Sequence, residues 1–185
     1  MNNQHLNEKK TRLSVDYFEK MHIIKNRKED EVAIMLIQFN FKNFRSFREE
    51  VTLDLSATKM TEFSERVVTI GSEKILPIAA IYGANASGKS NIYSAFEYMA
   101  EYVVDSFKYG DEEEKFEEYR PTPFLFDSTS ADAESSFEVY FTIPGDKNEK
   151  TYNYGFCVDQ EGVTEEWLNS KAKTARKYST VFYRG

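Results

Sequence analysis

The sequence is poor in the residues that most often carry chemistry. It holds one cysteine, Cys157, and two histidines, His5 and His22. A single cysteine excludes an internal disulfide and any cysteine-rich zinc site. With no histidine after residue 22, the body of the chain lacks the base of Ser-His and Cys-His hydrolases. No apolar run approaches the roughly 18 residues of a membrane-spanning helix. The polar stretch Met1–Lys10 lacks the apolar centre of a signal peptide, so a cytoplasmic location is expected. Basic residues are in deficit, 24 Lys and Arg against 31 Asp and Glu for a net charge of −7. That balance excludes a broad basic coat for nucleic acid, though not a local basic groove. The remaining options are carboxylates, Lys, Arg, hydroxyls, backbone amides or a bound ion.

Apolar material is plentiful: 41% of the 185 residues are hydrophobic and 15% aromatic. That composition excludes a disordered polymer. At about 150 residues per domain, the length gives one domain and a little more. Two regions are expected. Residues 1–34 form an extension in which Leu13, Tyr17, Met21 and Ile24 make the stripe of an amphipathic helix. Its seven basic and six acidic residues nearly cancel, so it is not a nucleic-acid arm. Met35, which opens the first convincing strand, is an alternative start. Residues 35–185 form the main body.

In that body Ile37, Phe39 and Phe41 alternate with polar neighbours, and so do Val51, Leu53 and Leu55. This predicts an antiparallel pair joined through residues 43–48. A further strand is expected at Val67–Ile70 before Gly71-Ser72. The continuous apolar run Ile75 to Tyr82 reads as a strand buried on both faces, with Pro77 near its beginning. Period 3.6 then predicts a helix from about Lys89 to Phe107, with Ile92, Phe96, Met99 and Val103 on its apolar face and Gly110 able to end it. The acidic run Asp111–Glu118 reads as a solvated loop. Beyond it Phe137–Ile143, Tyr152–Val158, Val163–Leu168 and Thr180–Tyr183 read as strands whose aromatics form core. Pro144-Gly145-Asp146 and Asp159–Gly162 read as turns. The class is therefore α/β.

Between the apolar run and the helix lies Gly83-Ala84-Asn85-Ala86-Ser87-Gly88-Lys89-Ser90. It fits G-x-x-x-x-G-K-[ST], the phosphate-binding loop or Walker A pattern. Glycines supply the unusual dihedrals that let successive N–H groups turn inward, and the helix presents its unpaired amides and positive dipole end to the phosphates. Lys89 would place a charge on the β- and γ-phosphates, and Ser90 would offer a hydroxyl to Mg²⁺. A chance match in a chain of this length is of order 1%, and the strand-before, helix-after context lowers it further.

The stretch Leu36-Ile37-Gln38-Phe39-Asn40-Phe41-Lys42-Asn43-Phe44-Arg45-Ser46-Phe47, followed by Val51–Leu55 and Ile81–Asn91, resembles the opening of ABC-type ATPases of the RecF/SMC kind. It is most similar to the bacterial AAA-type branch near the OLD family. The resemblance spans residues 35–185 and is strongest at 36–100. It implies a P-loop NTPase with an N-terminal antiparallel layer, the P-loop strand and helix, then a β-rich antiparallel segment. It further implies ATP and Mg²⁺ as ligands, with Gly83 through Asn91 around the nucleotide, Lys89 catalytic, Ser90 on the metal and Arg45 touching the phosphates either directly or through a neighbouring group. Members close as head-to-tail dimers, and many act in phage defence or DNA handling.

The departures from that pattern bear on activity. There is no Leu-Ser-Gly-Gly-like signature and no hydrophobic strand ending in Asp-Glu. The nearest look-alikes, Phe124–Asp127 and Phe156–Glu161, read better as turn-forming aspartates. The chain as it stands is therefore expected to be an incomplete ATPase domain with little or no turnover, partnered by a second copy or by the C-terminal half of the ATPase. Alternatives are a truncated partner-binding remnant, or a small GTPase or nucleotide kinase. Asp159-Gln160-Glu161-Gly162 fits the GTPase D-x-x-G pattern, but no Asn-Lys-x-Asp guanine contact is present. The acid-free stretch Trp167–Gly185 carries Lys171, Lys173, Arg176, Lys177 and Arg184. It reads as a solvated sheet edge, with tracking of a nucleic-acid backbone as the alternative.

Overall fold

A computed structural model describes residues 34–57, 64–109, 120–143, 145–146 and 148–185. The expected helix around residues 13–24, the stop at Gly110, the acidic run 111–118 and the turn proline Pro144 lie outside the described residues.

The frame is a six-stranded sheet in which every neighbouring pair is antiparallel. Its strands are β1 (Met35–Lys42), β2 (Val51–Asp54), β5 (Ser135–Thr142), β6 (Thr151–Val158), β7 (Val163–Lys171) and β8 (Ser179–Arg184). Their spatial order is β2-β1-β5-β6-β7-β8. Two short strands, β3 (Val68–Ile70) and β4 (Glu73–Ile75), form a hairpin across Gly71-Ser72. One long helix, α1 (Lys89–Tyr109), and one short one, α2 (Ser128–Ala131), complete the described elements.

Alternation decides which side of the sheet is core. Phe39 and Phe41 of β1, Phe137, Val139 and Phe141 of β5, Tyr154, Phe156 and Val158 of β6 and Leu168 of β7 are all buried together. A register shift between Leu36 and Gln38 lets Leu36 pack against this core as well, so the strict alternation read from the sequence breaks at one bulge. Helix α1 lies on this face: Ala95, Met99, Tyr102 and Val103 are buried in the same cluster. Rings make the contact, with Phe96 edge-on to Phe39 at 5.3 Å, Tyr98 at 4.9 Å from Phe137 and Tyr102 stacked on Phe156 at 5.0 Å. The helix thus straddles β1, β5 and β6, and its N-terminus is anchored by the same packing that buries the sheet. Burial also raises the hydroxyls of Tyr98 and Tyr102, that of Tyr102 to about 12.

The opposite face mixes apolar side chains, such as Trp167 over Gly155, with a polar row. Asn40 Nδ2 and Asn153 Nδ2 donate to the two oxygens of Glu138 at 2.9 and 2.7 Å, and Asn169 Nδ2 donates to Asn153 Oδ1. A side-chain ladder therefore crosses four strands where one face is not core.

One expectation needs correction. The run Ile75–Tyr82 is not a strand buried on both faces. β4 ends at Ile75, and Leu76 makes the last ladder contact by donating to Leu55 O at 2.8 Å. Pro77 has no N–H to continue the pairing. The chain then runs on unpaired among the described residues, with Ile78 81% and Tyr82 90% exposed. A two-face-buried strand needs neighbours on both edges, and residues 77–82 have none among the described residues.

Candidate phosphate-binding site

The loop between this exposed segment and α1 is built from three local requirements. Ala86 and Gly88 both take positive φ, 63° and 88°, and only glycine adopts such values freely. At Gly83 the approach is close too: a Cβ there would meet Ser87 Oγ at 2.7 Å, so that hydroxyl would have to turn away. Gly88 tolerates no side chain, since its Cβ would lie 2.8 Å from Cζ of the Phe47 ring and 3.1 Å from Ser46 Oγ. The glycines read from the motif thus answer both to backbone conformation and to close approach.

Lys89 opens α1 and folds back over the loop. Its ammonium donates to Gly83 O at 2.8 Å and Ala84 O at 2.5 Å, with Ser87 Oγ at 3.5 Å. Three donors on one head group suit this bridging role. The amides are disposed in the opposite sense. Asn91 N and Ile92 N donate to Gly88 O, starting the helix. Those of Asn85, Ala86, Gly88, Lys89 and Ser90 donate to no backbone acceptor among the described residues. A cluster of unpaired amides at a positive helix end, a lysine and the exposed Ser90 hydroxyl make a donor set for a phosphate chain. These residues fit a nucleotide triphosphate. For the accompanying Mg²⁺ the described residues supply Ser90 and no cluster of acidic or imidazole ligands.

A second element presses on the loop. Residues 43–48 connect β1 to β2 through a tight reversal in which Phe44 and Phe47 exchange backbone hydrogen bonds. Asn43 and Arg45 both have positive φ, 52° and 50°, a costly conformation outside glycine that asparagine tolerates better than arginine. Asn43 holds it in place. Its buried Nδ2 is shared among Ser130 O, Ala133 O and Glu134 O, its Oδ1 accepts from Phe124 N, and its own carbonyl accepts from Ser135 Oγ. Arg45 N donates to Thr122 O. The reversal presents Ser46 and Phe47 to the phosphate loop, and Asn91 Nδ2 donates to Ser46 Oγ at 2.8 Å.

The structure places the sequence-derived residues as follows. Gly83 through Asn91 form one continuous loop and first helical turn. Arg45 sits on the adjoining reversal with its guanidinium over the Phe44 ring, 5.3 Å from the centroid. Ser46 and Phe47 make the contacts to the loop, whereas the Asn-Phe-Arg-Ser-Phe stretch, read as sequence, assigns a role to Arg45 alone. The look-alike aspartates are turn formers. Asp127 caps α2, and its carboxyl is held down to about 2 by the Thr129 hydroxyl and the Ser130 amide. Asp159 Oδ1 accepts from Glu161 N and Gly162 N, so the D-x-x-G stretch is a turn. The basic C-terminal stretch is largely ion-paired: Lys171 meets Glu73, Lys173 meets Glu149 and Arg184 meets Glu166. Among the described residues no helix is long and apolar enough to cross a membrane.

A comparison with curated proteins found no match. A family model described as "AAA domain, putative AbiEii toxin, Type IV TA system" matches residues 78–185, more than half the chain. The match begins at the unpaired apolar segment and takes in the whole phosphate loop, α1 and strands β5 to β8. The chain therefore belongs to this family of AAA-type ATP-binding domains.

Proposed function

We propose that the chain binds Mg·ATP at Gly83–Asn91 and forms the nucleotide-holding part of an ABC-type ATPase. The observation that carries this reading is the set of unpaired amides at Asn85, Ala86, Gly88, Lys89 and Ser90 beside the lysine head group. The Lys89 ammonium is already at the loop and needs only a side-chain shift to meet a β- or γ-phosphate. Mg²⁺, held by the Ser90 hydroxyl and the nucleotide, would neutralise phosphate charge there. Arg45, on the neighbouring reversal, is a further cation for the phosphates on the strength of the family resemblance alone. Phage defence or DNA handling, as the biological setting, rests on the resemblance to the RecF/SMC/OLD-like ATPases.

Hydrolysis also needs a group to position water and an acid on the metal side. The aspartates nearest to that description are spent on the cap of α2 and on a turn. The chain by itself is thus a binder with little turnover. Supporting the idea that other polypeptide completes the domain are Ile78, Ile81 and Tyr82, exposed on an extended segment with unpaired backbone, together with exposed Leu125 and Phe126. Such an edge is a template for strand pairing, supplied by a second copy or by the C-terminal half of the ATPase. Calorimetric titration of Mg·ATP, with turnover measured alongside, tests the reading. Saturable binding with negligible turnover supports it, whereas an absence of binding refutes it.

A further inference from the structure

We propose that Ser46 and Phe47 are positioning residues for the phosphate loop, setting its shape from a strained reversal that itself need not touch nucleotide. This inference rests on the nucleotide-binding reading of Gly83–Asn91. Three observations carry it. The Phe47 ring lies where a side chain on Gly88 would begin, and it is edge-on to Phe41 at 5.3 Å, so its place is fixed by the core of the sheet. Ser46 Oγ takes the Asn91 amide, tying the reversal to the first turn of α1. The reversal between them holds Arg45 at a φ of 50°, a shape maintained by buried Asn43 through contacts with residues 124–135.

The physical consequence is a mechanical link. Gly88 lies beside the reversal, where a side chain on it would meet both the Phe47 ring and Ser46 Oγ. The reversal is thus packed against Gly88, whose φ of 88° is one that glycine alone takes freely. A loop kept curled before ligand arrives pays less ordering entropy on binding, which is the general gain of preorganisation. Ser46 and Phe47 act on phosphate through Gly88 and Asn91, whereas Lys89 acts on it directly.

The test is titration of Mg·ATP into the full chain as wild type, Lys89→Ala, Ser46→Ala, Ser46→Thr and Phe47→Leu. Thermal midpoints and the backbone amide resonance of Gly88 are recorded for each nucleotide-free protein. Ser46→Ala should weaken binding about threefold to tenfold, the range expected for one net hydrogen bond, and should shift the Gly88 resonance. Ser46→Thr, which keeps the hydroxyl, should restore both. Phe47→Leu keeps apolar bulk but loses the ring, and should weaken binding while leaving a folded protein. Affinities equal to wild type in Ser46→Ala and Phe47→Leu, with Lys89→Ala inactive, would overturn the inference and leave the nucleotide reading standing. So would losses that merely follow the thermal midpoint or that threonine fails to rescue. If wild type binds no Mg·ATP, the nucleotide reading falls and this inference falls with it.

Discussion

Phe47 and Gly88 are matched across 41 positions of the sequence: the ring of one occupies the space a side chain on the other would need, 2.8 Å from its Cβ position. The glycine is thus required twice, once by its φ of 88° and once by the ring. Gly88→Ala should abolish measurable Mg·ATP binding while the sheet still folds. Calorimetry checks the first part, and far-ultraviolet circular dichroism checks the second. Near-normal affinity in Gly88→Ala would show that the loop's curl does not depend on this contact.

Asn43 is the post on which the reversal turns. Asn43→Ala removes the side-chain donor to three carbonyls and the acceptor for Phe124 N. Leaving such buried groups unpaired costs about 1–3 kcal/mol, and a φ of 52° disfavours alanine as well. The urea midpoint should fall accordingly. Asn43→Asp should be worse than Asn43→Ala, because it faces a carboxylate with backbone carbonyl oxygens.

The core is aromatic, and Phe137 is central to it, fully buried and ringed by Phe44, Tyr98 and Phe156. Phe137→Ala should cost about 3–5 kcal/mol, the usual range for deleting a buried ring. Equilibrium unfolding measures it. Phe126→Ala, at a site 87% exposed, should cost far less and serves as the control.

Alkaline pH should destabilise the fold. Burial raises Tyr102 to about 12 and raises Tyr98 and Tyr154 too, and it pushes the Cys157 thiol to about 12. A raised value means that the folded state keeps its proton where the unfolded state loses it. Stability is therefore full below the ordinary thiol and phenol range, about 8.5 to 10, and declines as pH rises through it toward 12. Tyrosinate absorbance should lag behind that of free tyrosine and then appear together with unfolding. At pH 8 Cys157 should resist alkylation in the native state and react readily in urea; fast native alkylation would contradict its burial.

Much of this was legible in the sequence because two periodicities and one motif are local. Phe39/Phe41, Phe137–Phe141 and Tyr152–Val158 alternate as strands must, and Ile92 through Val103 follow helical spacing. The helix starts at Lys89, as read, and ends at Tyr109, two residues beyond expectation. What the sequence hid is non-local. Nothing at Asn43 reveals that its amide serves carbonyls some 90 residues away, and nothing at Phe47 reveals Gly88. The apolar run through Tyr82 misled because hydrophobicity reports what a strand needs, whereas burial depends on which neighbours are there to supply it. The bulge at Leu36/Gln38 likewise depends on pairing with β5, which alternation in one strand does not encode.

We propose Gly83–Asn91 as a phosphate site worked by Lys89. The most direct test is calorimetric titration of Mg·ATP into wild type and Lys89→Ala, with circular dichroism of both. Among the described residues Lys89 holds only loop carbonyls and Ser87, so its loss should leave the fold intact. Wild type should bind saturably and Lys89→Ala not at all at matched folding. Equal binding by the two proteins, or none by wild type, would contradict the proposal.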